Sequence, residues 1–366
     1  MGELPWIFKL SLAPGLGPVK IKKIADTFDD VKQLSGMDVA DISSSAEIDL
    51  KSAQIVADTI SKKDRSAEKI FKRVQDAGWG ICEYGNPNYP ELLKEIYDPP
   101  PVLYYAGKLS KSDYNSVAVV GTRRATEYGI EAARSIATGL AVSGVTLVSG
   151  YAEGIDAAAQ KAALDAGGRL IGVLGSALDR PYPVSSIPLM ERIAENGVLL
   201  SEYPPGASTA ASNFPARNRI ISGLSLGVLI VEAPERSGAL ITAYQGLEQG
   251  RDVFALPGSI FSLKSRGTNI LIKEGASLVV SAEDIVSDLI GRFRSFKINE
   301  KVEKEDTCLL SPEEEKVMKV LEDGIMHIDE IMRRVDYPAG RLSVILTKLE
   351  MSGAICALDG KKYKKA

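Results

Sequence analysis

The amino-acid sequence predicts an α/β protein whose main domain is a doubly wound, mostly parallel, Rossmann-like sheet. A small helical domain precedes this sheet and a winged-helix domain follows it. Three observations support the prediction. The 366 residues suffice for two or three domains. Between residues 116 and 290, short apolar runs rich in β-branched residues alternate with helical periodicity. Both flanking regions lack this alternation and are dominated by helical spacing of apolar residues.

The composition is that of a globular protein, with 45% hydrophobic and 25% charged residues. No apolar run approaches the roughly 18 residues that a membrane helix needs, so no contact with a membrane is predicted. The segment MGELPWIFKL lacks the basic start and the cleavage site of a signal peptide. We therefore expect a cytoplasmic protein, and three scattered cysteines agree with a reducing compartment.

Histidine and cysteine are too rare for most metal chemistry. The chain has one histidine, His327, and its cysteines, Cys82, Cys308 and Cys356, show no C-x-x-C spacing. This excludes Cys/His zinc sites and 2-His-1-carboxylate iron sites, so no metal is expected. A Ser-His-Asp triad would need His327, which lies in a segment predicted to be helical. The formal net charge is −4, so any binding of nucleic acid must come from a local basic patch.

Residues 1–63 are predicted to form a helical domain, with a turn of the helix-hairpin-helix kind. The segment Pro14-Gly15-Leu16-Gly17-Pro18-Val19-Lys20 joins two of its helices. A Gly-x-Gly turn at a helix start can hold a phosphate through free N–H groups. Gly/Pro punctuation between helices would give the same sequence, and both interpretations stay open.

Residues 66–290 are predicted to form a Rossmann-like α/β domain. Several of its strands are apolar on both faces, as in parallel sheets covered by helices on each side. Ligands of such sheets bind outside the carboxyl ends of the strands, so the binding residues are expected in the loops there. The predicted sheet strands lie at 117–121, 145–150, 169–175, 197–203, 226–233, 252–258 and 276–280.

Residues 291–310 are charged and aperiodic, which indicates a linker. Residues 311–366 then show three helical stretches and a two-stranded wing that turns at Asp359-Gly360, which is a winged-helix pattern. Positive and negative charges balance within it. Binding of duplex DNA and contact with a protein are therefore equally compatible with this domain.

Two loops at predicted strand ends carry glycines and small polar residues. Gly121, Thr122 and Arg123 follow the first parallel strand, where a helix N-terminus and a guanidinium would attract an anion. Ser149, Gly150 and Gly154 follow the second, with Lys161 in the next helix. These glycines could instead permit tight packing of helix on strand. Neither G-x-G-x-x-G nor G-x-x-x-x-G-K-[ST] occurs, so no nucleotide cofactor is expected.

Two further loops extend this pattern. Phe214, Arg217, Asn218 and Arg219 combine an aromatic face with two guanidinium groups, a combination that suits single-stranded nucleic acid. Ser237 and Gly238 begin another helix after the strand at 226–233. Four loops at one sheet edge predict a track for a chain of phosphates rather than a pocket for one nucleotide.

Taken together, these residues resemble the DNA processing protein A family, known as DprA or Smf. The matching segments cover the α/β domain in order: 121–123, 149–156, 213–225, 237–242, 250–258 and 267–276. The resemblance implies a homodimeric protein that binds single-stranded DNA, protects incoming DNA and loads the RecA recombinase onto it during natural transformation. It also implies that residues 66–290 form an extended Rossmann-like DNA-binding domain and that residues 1–63 are a sterile-alpha-motif-like domain. A C-terminal winged helix occurs in that family too.

The resemblance also implies roles for individual residues. Arg123, Arg217 and Arg219 would contact phosphates and Phe214 a base. One departure is Val184, which follows Tyr182-Pro183 where the family often has Lys. The implied dimer positions are Ile272 and Leu278, and the implied RecA contacts are Leu247 and Lys273.

An enzyme of similar fold is the alternative. Phosphoribohydrolases of the lysine-decarboxylase-like group cleave nucleoside monophosphates and use a carboxylate in a P-G-G-x-G-T-x-x-E loop. The corresponding loop here begins at Arg236-Ser237-Gly238 and has no carboxylate before Glu248. Hydrolysis would lack its acid/base group, so we expect a binding protein rather than an enzyme.

Overall fold

The structure, a computed structural model, describes residues 4–62, 65–294, 312–321, 324–335 and shorter stretches between 337 and 365. The chain divides into two compact units, residues 1–296 and 297–366. Most of the predicted linker, 291–310, lies outside the described residues. In the part of the chain that is described, no helix is both long and apolar enough to cross a membrane.

The first unit is built on a nine-stranded sheet with the strand order β1-β2-β6-β5-β4-β3-β7-β8-β9. Strands β3 to β9 pair in parallel, and β1 and β2 are antiparallel at one edge. The strands are β1 (Gly80–Glu83), β2 (Val102–Gly107), β3 (Ser116–Val120), β4 (Thr146–Ser149), β5 (Leu170–Leu174), β6 (Gly197–Ser201), β7 (Gly227–Ile230), β8 (Asp252–Ala255) and β9 (Ser277–Leu278).

The predicted doubly wound sheet is confirmed. Every residue of β3 to β7 is buried, because helices cover both faces and the β-branched side chains pack against them. The helices of this part are α6 (Arg65–Asp76), α7 (Glu91–Lys94), α8 (Glu127–Val142), α9 (Ile155–Asp165), α10 (Ile187–Asn196), α11 (Asn213–Gly223), α12 (Gly238–Glu248), α13 (Arg266–Lys273) and α14 (Ala282–Leu289).

The N-terminal region is helical, as predicted, and contains α1 (Trp6–Ser11), α2 (Pro18–Thr27), α3 (Val31–Leu34), α4 (Val39–Ser45) and α5 (Leu50–Ser61). They share a core with the sheet: the Phe8 ring is fully buried, 5.7 Å from the Phe71 ring and 6.4 Å from the Tyr104 ring. The main-chain N–H of Phe8 also donates to Glu83. The boundary predicted near residue 63 therefore does not separate two compact units.

The second unit contains α15 (Pro312–Val320), β10 (Met326–His327), α16 (Ile328–Val335), β11 (Ile355–Leu358) and β12 (Lys362–Lys365). The described residues between 341 and 349 are helical. The two wing strands pair antiparallel as predicted, while their turn at Asp359-Gly360 lies outside the described residues. Sequence periodicity missed β10, which places His327 in a strand rather than in a helix.

Candidate nucleic-acid interface

A cleft of about 800 Å³ opens at the carboxyl ends of the central strands. Its walls come from the loops after β3, β4, β5, β6, β7 and β8 and from α11. β3 lies between β4 and β7, where the strand order reverses. Helices diverge at such a switch point, which is where open α/β sheets bind their ligands.

Unpaired positive charge surrounds this cleft. Arg123, Arg124 and Arg236 are exposed and Lys264 is half-buried, and within the described chain none of them forms an ion pair. The carboxylate among the lining residues is that of Asp156, which is 4% exposed. The cleft is thus a local basic site on a chain whose net charge is −4.

Two aromatic rings lie in the wall of the cleft. The Tyr182 and Phe214 rings are 5.5 Å apart and tilted by 57°, and the guanidinium of Arg123 lies 5.3 Å from the Phe214 ring centroid. A Cβ on Gly175 would lie 2.7 Å from the Phe214 ring, so the glycine makes room for it. This cluster joins a cation to two faces that a base can stack on.

Asp156 ties two of the predicted phosphate loops together. Its carboxylate accepts hydrogen bonds from the main-chain N–H of Gly150 at 3.0 Å and of Gly121 at 3.3 Å. These two N–H groups already have an acceptor, which corrects the expectation that they are free to hold a phosphate. Burial raises the pKa of Asp156 to about 6, against the lowering effect of the nearby Arg217 and of these hydrogen bonds.

Arg217 lines the cleft but is 4% exposed. Its guanidinium donates to the carbonyl of Gly150 at 2.5 Å and to the carbonyl of Val173. A Cβ on Gly150 would lie 2.9 Å from this guanidinium and 2.7 Å from the Asp156 carboxylate, so the site requires glycine. Burial lowers the pKa of Arg217 to about 10. Arg217 therefore braces the floor of the cleft rather than projecting into solvent.

Arg219 lies outside the lining of the cleft, contrary to the phosphate contact expected for it. Its side chain is 9% exposed and pairs with the Glu202 carboxylate at 2.7 Å and with the Asp98 carboxylate at 2.9 Å. Helical geometry explains the difference, because residues two apart on α11 point to different sides.

Three more predicted residues also lie away from the cleft. The Ser149 hydroxyl is buried and donates to the carbonyl of Val119 at 2.8 Å. Gly154 has a φ of +81°, and a Cβ there would lie 2.4 Å from the carbonyl oxygen of Thr122, which is the packing role left open above. Lys161 is exposed on α9 and is not among the residues that line the cleft.

The remaining predicted residues do lie in the wall: Gly121, Thr122, Phe214, Asn218, Ser237 and Gly238. The Ser237 hydroxyl accepts from the N–H of Ala239 at 3.3 Å and so caps α12. Gly150 lines a smaller cavity of about 50 Å³ beside Tyr182, Phe214 and Arg217.

The lining residues that were not predicted as contacts include three cations and one aromatic residue: Arg124, Arg236, Lys264 and Tyr182. Arg124 and Arg236 directly adjoin predicted residues, so their charge was a signal available in the sequence. Lys264 follows β8 in a segment whose path the sequence leaves open.

The predicted protein-contact positions lie elsewhere on the same unit. Leu247 on α12 and Leu278 on the edge strand β9 are 54% and 53% exposed, Lys273 is exposed and Ile272 is half-buried. The Tyr244 hydroxyl donates to the Glu274 carboxylate at 3.0 Å, which links α12 to the end of α13. We call Leu247, Ile272, Lys273 and Leu278 the edge surface.

Comparison with known proteins adds independent findings. The family model described as DNA recombination-mediator protein A matches residues 80–290, and that of the DprA winged helix domain matches residues 303–361. The chain is 40% identical to Protein Smf of Synechocystis over 284 residues, covering 76% of this chain and 71% of that protein.

Two solved structures agree with this result. The X-ray structure of DNA processing protein A from Streptococcus pneumoniae superposes with a TM-score of 0.69 at 36% identity, covering 81% of this chain and 100% of that one. A structure of DNA processing protein A from Helicobacter pylori, described for its single-stranded DNA binding mode, gives 0.52 at 31% identity and covers 59% and 97%.

Proposed function

Because this chain belongs to the DNA processing protein A (DprA/Smf) family, we propose that its cleft binds single-stranded DNA with little sequence preference. The proposal rests on one observation: cations that form no ion pair in the described chain lie in the same cleft as aromatic rings on which bases can stack. Arg123, Arg124, Arg236 and Lys264 offer donors to phosphates, while Tyr182 and Phe214 offer faces to bases. Stacking tolerates any base, and phosphate contacts carry no sequence information.

The choice of single strands over duplex rests on the aromatic pair. A base inside a duplex is stacked on its neighbours and cannot present a free face to Tyr182 or Phe214. A gel-shift series with single-stranded and blunt duplex DNA at several salt concentrations tests this. We expect tighter binding of the single strand and a loss of affinity as salt rises, because bound counterions are released. Equal affinity for duplex would contradict the proposal.

We propose further that the protein is a homodimer and that it loads RecA through the edge surface. Support comes from the exposed leucines beside Lys273, since an apolar patch with a charged rim suits a protein interface. Ile272→Lys should sediment as a monomer and bind DNA more weakly, because two linked sites supply avidity. Lys273→Glu should keep DNA binding and lose RecA loading, and unchanged loading would remove this assignment.

We also propose that the cleft performs no covalent chemistry. The Asp156 carboxylate is occupied by main-chain N–H groups, and the Glu232 carboxylate accepts from the N–H and the hydroxyl of Thr126 at 2.8 and 2.7 Å. Incubation with AMP, GMP and ATP, followed by chromatography of free base and phosphate, tests this. Turnover that Glu232→Gln abolishes would favour the phosphoribohydrolase.

A further inference from the structure

The loop after β8, residues 257–265, exposes three apolar side chains within four residues. Ile260, Phe261 and Leu263 are 76%, 89% and 63% exposed. Scattered single apolar residues are normal on a protein surface, but a cluster on one loop is not needed for the core. We call residues 257–265 the β8 loop.

The β8 loop is held in one conformation by its own hydrogen bonds. The side-chain amide of Asn269 accepts a hydrogen bond from the N–H of Gly258 at 3.2 Å and donates one to its carbonyl at 3.0 Å. Two turns follow, from the N–H of Ser262 to the carbonyl of Ser259 and from the N–H of Ser265 to the carbonyl of Ser262. The exposed ring of Phe261 is therefore presented by an ordered segment, which reduces the entropy lost when a ligand binds.

The loop adjoins the basic cleft. β8 pairs in parallel with β7, so the loops that follow the two strands leave the same edge of the sheet side by side. Lys264 belongs to the β8 loop and also lines the cleft. Phe261 is three residues from Lys264, which limits their Cα separation to about 10 Å.

We propose that Phe261 is a second stacking platform, which binds a base of the same DNA strand after the strand leaves the cleft past Lys264. This inference rests on the proposed binding of single-stranded DNA and extends its footprint from the cleft to the β8 loop. Ile260 and Leu263 flank the ring and supply apolar contact to the sugar and base edges.

A single strand fits this surface better than a second copy of the chain does. The cluster is continuous with a wall of cations through Lys264, and Arg266 is exposed at the start of the next helix. A repeating anion with flat apolar bases matches alternating cations and rings, as in other single-strand tracks. In a two-fold contact between the β8 loops of two copies, the Lys264 of each copy would instead face the cations of the other.

The test compares oligothymidylates of about 5 and about 15 nucleotides, a range that brackets typical single-strand site sizes. Phe261→Ala should bind the longer strand about five-fold to a hundred-fold more weakly, because that strand fills the cleft and continues past Lys264 onto the loop, and the loss on the shorter strand should be smaller, because that strand can bind in the cleft alone. Phe261→Trp should keep the affinity, and DNA should quench its added fluorescence. Tyr97→Ala, which removes another exposed ring outside the cleft, is the matched control and should change neither affinity.

The outcomes separate this inference from the function beneath it. Failure of the wild type to bind either oligonucleotide would remove the proposed function. Normal binding by the wild type with no loss in Phe261→Ala on the longer strand would overturn the platform alone. Loss of the dimer in Phe261→Ala, measured by sedimentation without DNA, would assign the loop to a second copy instead. Thermal melts of all variants should match the wild type, because the Phe261 ring is 89% exposed and packs little.

Discussion

Two arginine pairs that look alike in sequence differ in what they do in the fold. Arg123 and Arg124 lie exposed in the turn after β3 and form no ion pair in the described chain. Arg217 and Arg219 on α11 are buried and bonded to the protein itself. The first pair is available to a ligand, whereas the second pair is held by carbonyl and carboxylate groups of the protein itself.

Positive charge alone therefore does not identify a residue that contacts DNA. A buried guanidinium that already has partners gains little from a phosphate, because it would lose those partners. An exposed guanidinium exchanges only water. Substitutions in the two pairs should accordingly affect different measurements: stability for the buried set and DNA affinity for the exposed set.

The largest effect is expected at Asp156, the acceptor that faces Arg217. Asp156→Ala leaves the N–H groups of Gly121 and Gly150 and the Arg217 guanidinium without their carboxylate. The free energy of unfolding should fall by about 3–5 kcal/mol, the usual result of removing one member of a buried pair. Urea denaturation at pH 7 measures it. Asp156→Asn keeps an acceptor and should lose less, and equal losses would contradict this account.

The same carboxylate predicts a dependence of stability on pH. Its pKa is raised by burial from 3.8 to about 6, so the folded protein holds the proton more tightly than the unfolded chain. The contribution of protonated Asp156 to the free energy of unfolding is fully present below about pH 4. It is lost as the pH rises through 6, a change of about 3 kcal/mol. Denaturation midpoints of the wild type minus those of Asp156→Asn should isolate this contribution. A difference that stays constant from pH 4 to 7 would rule it out.

Arg219→Ala should lower stability by about 2 kcal/mol, because Glu202 is left 18% exposed without its guanidinium. Affinity for single-stranded DNA, measured where the variant is folded, should stay within about two-fold of the wild type. A large loss of affinity with unchanged stability would contradict this prediction and would show that Arg219 contacts DNA.

Much of the fold could be predicted from the sequence, and the features that could not be predicted have physical explanations. The parallel strands were predicted because apolar β-branched runs are typical of buried strands, whereas β2 was missed because it directly follows Pro99-Pro100-Pro101. The partners of Arg219 could not be predicted from the sequence, because Glu202 and Asp98 lie 17 and 121 residues away in the chain. Periodicity identifies faces of local elements, but it does not identify pairs that tertiary folding brings together.

On the exposed side, Arg123→Ala should reduce affinity for single-stranded DNA roughly 10-fold to 30-fold while the melting temperature stays near that of the wild type. The substitution removes a phosphate donor and the cation beside the Phe214 ring, but no buried partner. The slope of log affinity against log salt should also fall by about 0.7. Arg134→Ala removes an exposed arginine of α8 outside the cleft and serves as the control. A matching loss in that variant would show that general charge, rather than position, governs binding.

The smallest change in DNA affinity is expected at Val184, where the family often has a lysine and this chain has no cation. Val184 is 68% exposed and follows Tyr182 and Pro183, which line the two cavities beside Phe214. Val184→Lys adds a flexible ammonium beside the aromatic pair without removing any buried contact. Its affinity for single-stranded DNA should rise about five-fold, and its salt slope should steepen by about 0.7, as one more phosphate contact requires.

Val142→Lys adds the same charge at the far end of α8, at a side chain that is 76% exposed, and should leave the slope unchanged. If both variants gain equally, the cleft attracts DNA through net charge. If only Val184→Lys gains, position decides the contact, as it does for the two arginine pairs.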